Sequence, residues 1–146
     1  MNFMKDYYDV VIVGAGAAGM MCAIEAGNRS RSVLLIDHSP KVGKKIRISG
    51  GGRCNFTNKY AEPSDFLSSN PHFSKSALAR YPPDDFIQMI DRHGIEFHEK
   101  TLGQLFCDDS AQQVIDMLIK ECNSASAEFS LSNSISKIEY SPEDQT

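Results

Sequence analysis

Apolar positions cluster twice near the start of the chain, at Val10-Val-Ile-Val13 and at Val33-Leu-Leu-Ile36, with a stretch rich in alanine and methionine between them. The first run is β-branched and apolar throughout, which predicts a strand over 7–13 buried on both faces, as in a parallel sheet. Residues 17–28 contain no proline and favour helix. Residues 32–37 read as a second strand. The three segments in this order form a strand–helix–strand unit.

Periodicity is weaker over the next part. Residues 39–60 are rich in Gly, Lys and Arg, show no clean repeat and read as a long loop; such loops inside compact domains usually carry function. Residues 61–73 are polar, hold Pro63 and Pro71, and read as a surface excursion. A short helix is expected over 75–80, ended by Pro82-Pro83. A second is expected over 84–93, with Asp84 as N-cap, Phe86, Ile87 and Ile90 on one face and Gly94 as the stop. Alternation over 95–99 predicts a short strand. The strongest helical pattern covers 110–122: Ser110 and Gln113 form a capping-box pair, and Ala111, Val114, Ile115, Leu118, Ile119 and Cys122 recur at helical spacing. Strands are predicted at 129–131 and 135–140.

The turn between the first strand and the first helix carries the chemistry. Gly14-Ala-Gly-Ala-Ala-Gly19 has the spacing G-x-G-x-x-G. Gly14 permits a tight turn, Gly16 lets a pyrophosphate approach the backbone, and Gly19 lets the helix lie close to the sheet. The free N–H groups and positive dipole end of the helix then face phosphates. Asp37 follows about 20 residues later, where a carboxylate accepts hydrogen bonds from ribose hydroxyls. Its charge disfavours a 2′-phosphate, so FAD or NAD fits better than NADP. The competing reading of these glycines is an ordinary turn in an α/β domain, but their flanks match the dinucleotide pattern.

A second constellation runs from Val42 to Asn58. Gly50-Gly-Gly52 leaves the backbone open to a planar or anionic ligand, and Lys44, Lys45, Arg47 and Arg53 surround it with positive charge. Ser49, Asn55, Thr57 and Asn58 add neutral donors and acceptors. Such a loop, placed directly after a ribose-binding strand, can reach the pyrophosphate and what lies beyond it. Donors and positive charge there suit the N1 edge of a flavin. The plain alternative is a solvated basic loop.

Composition narrows the class. The chain has 146 residues, 41% hydrophobic and 23% charged, with a formal net charge of −4. That predicts one globular domain with no general attraction to nucleic acid or anionic membrane. No segment approaches the roughly 20 apolar residues of a membrane span. The first residues do not read as a signal peptide, so cytoplasmic residence is expected. Cys22, Cys54, Cys107 and Cys122 contain no C-x-x-C pair and point to neither zinc nor a redox disulfide.

The glycine motif, Gly43-Lys-Lys45 and Ile48-Ser-Gly-Gly-Gly-Arg-Cys-Asn-Phe-Thr-Asn58 together resemble the start of the BaiN/RdsA family of bacterial flavoproteins. The likeness continues through Arg80-Tyr-Pro-Pro-Asp84, Gly94-Ile-Glu96, Gly103-Gln-Leu-Phe106 and the helix over 110–122, so it covers nearly the whole chain. It implies an α/β fold: a Rossmann-like FAD-binding domain of the two-dinucleotide-binding flavoprotein type. It further implies FAD as cofactor and NAD(P)H as electron donor. Family substrates range from amines to carbon–carbon double bonds, including a uridine base in ribosomal RNA, so the implied partner is a small molecule or an RNA base. Carried over by position, Gly14, Gly16, Ala17, Ala18 and Gly19 would hold the pyrophosphate and Asp37 the ribose. Gly43, Lys44, Lys45, Ser49, Gly50, Gly51, Gly52, Arg53, Cys54 and Asn55 would line the FAD toward its flavin. Ile135 would contact adenine through the backbone. The chain departs from the family in having Asp rather than Glu at position 37 and Cys107 rather than proline after Phe106. Members run to roughly two and a half to three times this length, the size of a two-domain enzyme. The resemblance therefore makes residues 1–146 the truncated N-terminal portion of an FAD-binding domain, without the substrate domain and the C-terminal segment that closes over the flavin.

No Ser/His/Asp or paired-carboxylate arrangement stands out, and no protein residue is assigned as catalytic, because the flavin itself exchanges the hydride. Cys54 beside Arg53 reads first as a small packed residue and second as a low-pKa thiol. Cys22 and Cys122 read as core. His38, His72, His93 and His98 read as surface or capping residues, and Asp108-Asp109 as charge at a helix start. Two rivals stand beside the flavoprotein reading: a plain NAD-binding domain of a dehydrogenase, and a truncated, inactive remnant or interaction module.

Overall fold

The structure, a computed structural model, describes residues 7–141. The chain forms β1 (Val10–Val13), α1 (Ala17–Gly27), β2 (Val33–Asp37), α2 (Lys44–Ile48), β3 (Asn55–Asn58), α3 (Lys75–Arg80), α4 (Pro83–Arg92), β4 (Phe97–Glu99), β5 (Gln104–Cys107), α5 (Ala111–Ser124) and β6 (Glu128–Leu131). A 3-10 turn over Ser49–Gly52 joins α2 to β3, and another covers Pro63–Asp65.

The strands make two sheets. β1, β2 and β6 are parallel in the order β1-β2-β6, with Ile12 beside Leu35 and Leu35 beside Phe129. β3, β5 and β4 are antiparallel in the order β3-β5-β4, with a register shift between Asn55 and Thr57. One buried cluster unites them: Leu35 and Val33 of β2, Met20 and Ala23 of α1, Ile90 of α4, Cys107 of β5, and Ile115 and Leu118 of α5. Helix α5 is held there because its helical-period apolar stripe is buried almost throughout, from Ala111 to Cys122. Met117 joins that stripe, while Ile119 stays only partly buried.

The expected strand–helix–strand unit forms with boundaries shifted by at most three residues, and α3 forms as expected. Several other expectations change. β1 is half-buried on one face, through Val10 and Ile12, and open on the other, where Val11 and Val13 are 52% and 66% exposed. An apolar run shows that a residue can be buried; what covers it is set by the layers around the strand. The loop expected over 39–60 contains α2, the 3-10 turn and β3. α4 starts one residue early, with Pro83 in its first turn and Pro82 as cap, so Asp84 is not the cap. Proline suits that position because its missing N–H would have no helical partner there.

At α5 the Ser110 hydroxyl accepts the Gln112 N–H at 3.1 Å, and the capping box does not close. The Gln113 side-chain oxygen is buried without a hydrogen-bond partner. β5 is a strand that the periodicity did not reveal. The strand expected over 135–140 does not form: those residues take part in no ladder, and Ile138 and Tyr140 are exposed.

Candidate dinucleotide-binding site

The C-terminal ends of β1 and β2 and the start of α1 converge on a cavity of about 530 Å³. Gly14, Gly16, Ala17, Ala18, Gly19, Asp37, Lys44 and Lys45 all line it. The turn is built tightly. Gly14 has φ +104° and donates its N–H to Ile36 at 2.7 Å, locking the end of β1 to β2. A Cβ on Gly19 would lie 1.9 Å from the Gly14 carbonyl oxygen, so only glycine lets α1 begin this close to the strand. A Cβ on Gly16 would meet nothing within 4 Å. Space beside the backbone at Gly16 is therefore open to a ligand, whereas space at Gly19 is filled by the protein.

Helix α1 starts at Gly16 with no side-chain cap and no acidic residue in its first turn. Its leading N–H groups have no intrahelical acceptor, and with the dipole they favour an anion. Lys44 and Lys45 project at the same cavity from α2. Its position is set by Gly43, which takes the left-handed conformation at φ +67° and donates its N–H to the Ala15 carbonyl at 2.9 Å. Gly43 itself is buried against Ile115, so it supports the cradle from behind and does not line it.

Asp37 sits at the mouth of this cavity with its side chain 15% exposed. One carboxylate oxygen accepts the Ser39 N–H at 2.8 Å and the other the Ala15 N–H at 2.7 Å. The hydrogen bond from Ser39, then the one from Ala15, hold its pKa below the ordinary carboxylate value. Asp37 thus stays ionised, and each oxygen retains capacity for a further hydrogen bond.

A second cavity of about 250 Å³ shares Ala17, Lys45 and Ile46 with the first and continues to Ser49, Cys54 and Asn55. Its walls are Met21, Phe56, Phe86, Val114 and Leu118. The Ser49 hydroxyl is buried beside the Cys54 thiol, its one polar side-chain neighbour there, and makes no hydrogen bond of good geometry, so it retains capacity for a polar ligand atom or water. Gly50, Gly51 and Gly52 carry φ of +57°, +68° and +91° in succession, a run that L side chains resist. They and Arg53 form the exposed bend beside this second cavity and line neither one. The Cys54 thiol is buried and its pKa is raised by burial, which supports the packed reading over the low-pKa thiol.

Ile135 lies apart from both linings. The chain does cross the site nearby, since Asn133 donates its N–H to the Asp37 carbonyl at 3.1 Å. Sequence reasoning missed Ala15, whose N–H anchors Asp37, and Ser39, whose bond to the side chain two residues earlier is a usual aspartate turn. It also missed the aromatic wall of Phe56 and Phe86. Cys22 is exposed, not core, while Cys122 is buried. His93 caps α4 and contacts Glu121 at 2.6 Å, and His98 contacts Asp108 at 2.5 Å. Among the described residues no group of three or more His, Cys, Asp or Glu could hold a metal ion, and no helix is long and apolar enough to cross a membrane.

The HI0933-like protein Rossmann domain matches residues 8–146. The chain belongs to this family. A ribosomal RNA dihydrouridine synthase of Escherichia coli (strain K12) is 59% identical over 128 residues, which is 88% of this chain and 32% of that protein. One from Haemophilus influenzae is 47% identical over 142 residues, 97% of this chain and 35% of that protein. This HI0933-like domain therefore spans about a third of the length of those relatives. The glycine oxidase from Geobacillus kaustophilus superimposes with a TM-score of 0.56 at 16% identity, over 86% of this chain and 46% of that one. That likeness places the chain in the same fold.

Proposed function

We propose that this HI0933-like domain is the FAD-binding portion of a flavin-dependent oxidoreductase that works in the cytoplasm. The observation that carries this reading is that the two cavities adjoin, with Ala17, Lys45 and Ile46 in the walls of both. A plain nicotinamide domain needs the first, but has little use for a second, aromatic-walled cavity beside the pyrophosphate position. The α1 N-terminus with Lys44 and Lys45 would hold the pyrophosphate and Asp37 the ribose. The buried Ser49 hydroxyl, with Asn55, would meet polar atoms toward the flavin. Bound FAD supplies the hydride-accepting and hydride-donating centre. The protein residues position it and limit water access through Phe56 and Phe86.

In the full-length parent the electron donor is NAD(P)H and the acceptor a small molecule or an RNA base. The Escherichia coli and Haemophilus influenzae relatives are ribosomal RNA dihydrouridine synthases, which supports an RNA base as one acceptor class. The test is competitive equilibrium binding of FAD and NAD to the purified chain. FAD at least tenfold tighter than NAD supports the reading. Equal or tighter NAD binding returns the chain to the dehydrogenase class.

A further inference from the structure

We propose that a third cavity, between α5, β6 and α2, binds a small apolar carboxylate. This goes beyond the FAD reading. The cavity shares only Lys41 with the dinucleotide cradle and no residue with the aromatic-walled cavity. Its volume is about 350 Å³, at the lower end of the range for small-molecule sites.

Two sequence periods meet in its walls. Ile115 and Ile119 stand one turn apart on one face of α5, and Phe129 and Leu131 stand two residues apart on one face of β6. Val42, just before α2, closes the third side, and all five line the cavity. Ile115 and Val42 are buried, whereas Ile119, Phe129 and Leu131 are only partly so. Ile119 belongs to the apolar stripe of α5, and the cavity it lines accounts for its incomplete burial. An apolar ligand seated there removes that surface from water, which favours binding.

The polar part of the lining is one-sided in charge. Lys41, Arg47 and Gln112 complete it, and no carboxylate does, in a chain whose formal net charge is −4. Among the described residues neither Lys41 nor Arg47 forms a salt bridge. Arg47 instead donates from Nη1 to the Gln112 side-chain oxygen, and Gln112 donates from Nε2 to Asp116 at 2.6 Å. The glutamine therefore stands between the guanidinium and the carboxylate. It orients Arg47 at the cavity and leaves further guanidinium N–H donors for a ligand. A planar carboxylate is the group that such a fork takes in two parallel bonds. Arg47 also lies outside the cradle that Lys44 and Lys45 line, so the dinucleotide does not account for it. Apolar walls with two cations beside them thus select an acid with a hydrocarbon body.

The test is equilibrium dialysis of the purified chain against naphthalene-2-carboxylate, with naphthalene-2-carboxamide as its neutral isostere. Three variants accompany the parent. Arg47→Gln removes a cation, Ile119→Glu places a like charge on the apolar wall, and Lys120→Gln removes an exposed cation of α5 outside the lining. The expected result is saturable one-to-one binding of the acid and at least tenfold weaker binding of the amide. Arg47→Gln and Ile119→Glu should each weaken binding of the acid at least tenfold. Lys120→Gln and a saturating excess of ADP should leave it unchanged. Circular dichroism of Arg47→Gln should match the parent, and the comparison of acid with amide on the parent stands without any variant. No saturable binding below about 1 mM, equal binding of acid and amide, or indifference to Arg47→Gln would overturn the proposal. So would displacement by ADP, which would make this cavity part of the cradle. Because the probe is not a flavin, the two readings fail separately: a chain that binds the acid but no FAD loses only the flavin reading.

Discussion

The Asp37 carboxylate accepts the backbone N–H of Ala15 at 2.7 Å, tying the end of the second parallel strand to the turn that leaves the first. One side chain thereby fixes the spacing between the ribose position and the pyrophosphate turn. The Ser39 N–H at 2.8 Å completes the arrangement from the other side.

Asp37→Asn should remove a charge-assisted acceptor and cost about 1–2 kcal/mol of stability. The sign with pH follows from the lowered pKa. The ionised form is favoured in the folded chain, so its contribution is present above the ordinary aspartate value near ~3.9 and is lost as pH falls through the lower folded value. Urea unfolding at several pH values should show the parent losing more stability than Asp37→Asn below about pH 4. Parallel curves would contradict this.

Gly16 and Gly19 should separate on substitution by alanine. The Gly19→Ala methyl would overlap the Gly14 carbonyl, and overpacking against backbone should cost about 3 kcal/mol or more. At Gly16 the space is open and φ is −86°, so the loss should stay within about 1 kcal/mol, the cost of a poorer helix cap. Chemical denaturation of the two variants decides this, and equal losses would rule it out.

Thiol reactivity should divide the cysteines. Cys22 is exposed on α1, whereas Cys54, Cys107 and Cys122 are buried. Burial raises the Cys54 pKa and pushes those of Cys107 and Cys122 up to about 11. With a chromogenic disulfide at pH 8, one thiol should react quickly and the rest only on unfolding. Cys22→Ser should abolish the fast phase; a fast phase that persists would show that one of the other three is accessible.

Legibility in the sequence followed how local each cause was. The unit β1-α1-β2 and its glycine turn were readable because spacing alone brings Gly14, Gly16, Gly19 and Asp37 to one end of the sheet. α5 was readable because its apolar stripe is long enough to fix a period. α2 was not, since of its five residues Ile46 is buried while Ile48 is exposed, and Gly43 sets it through a bond to Ala15. β5 depends on pairing with β3 and β4, which no local pattern encodes in four residues. The segment 135–140 has the pattern of a strand but joins no ladder among the described residues, and a strand exists only in a ladder. The one-sided exposure of β1 escaped because the layers that cover a strand are not encoded in its own four residues. In the site, the roles of Ala15 and Ser39 escaped because backbone N–H groups leave no signature in the side-chain sequence.

The most direct measurement is a flavin-fluorescence titration of the purified chain and its Gly16→Ala variant with FAD, followed by displacement with ADP. The account predicts saturable one-to-one binding by the parent, reversal by ADP because the adenosine half fills the cradle at Gly14–Gly19 and Asp37, and at least tenfold weaker binding by a Gly16→Ala chain whose circular dichroism is unchanged. Binding that ignores ADP, or that the Gly16 methyl leaves intact, would contradict it.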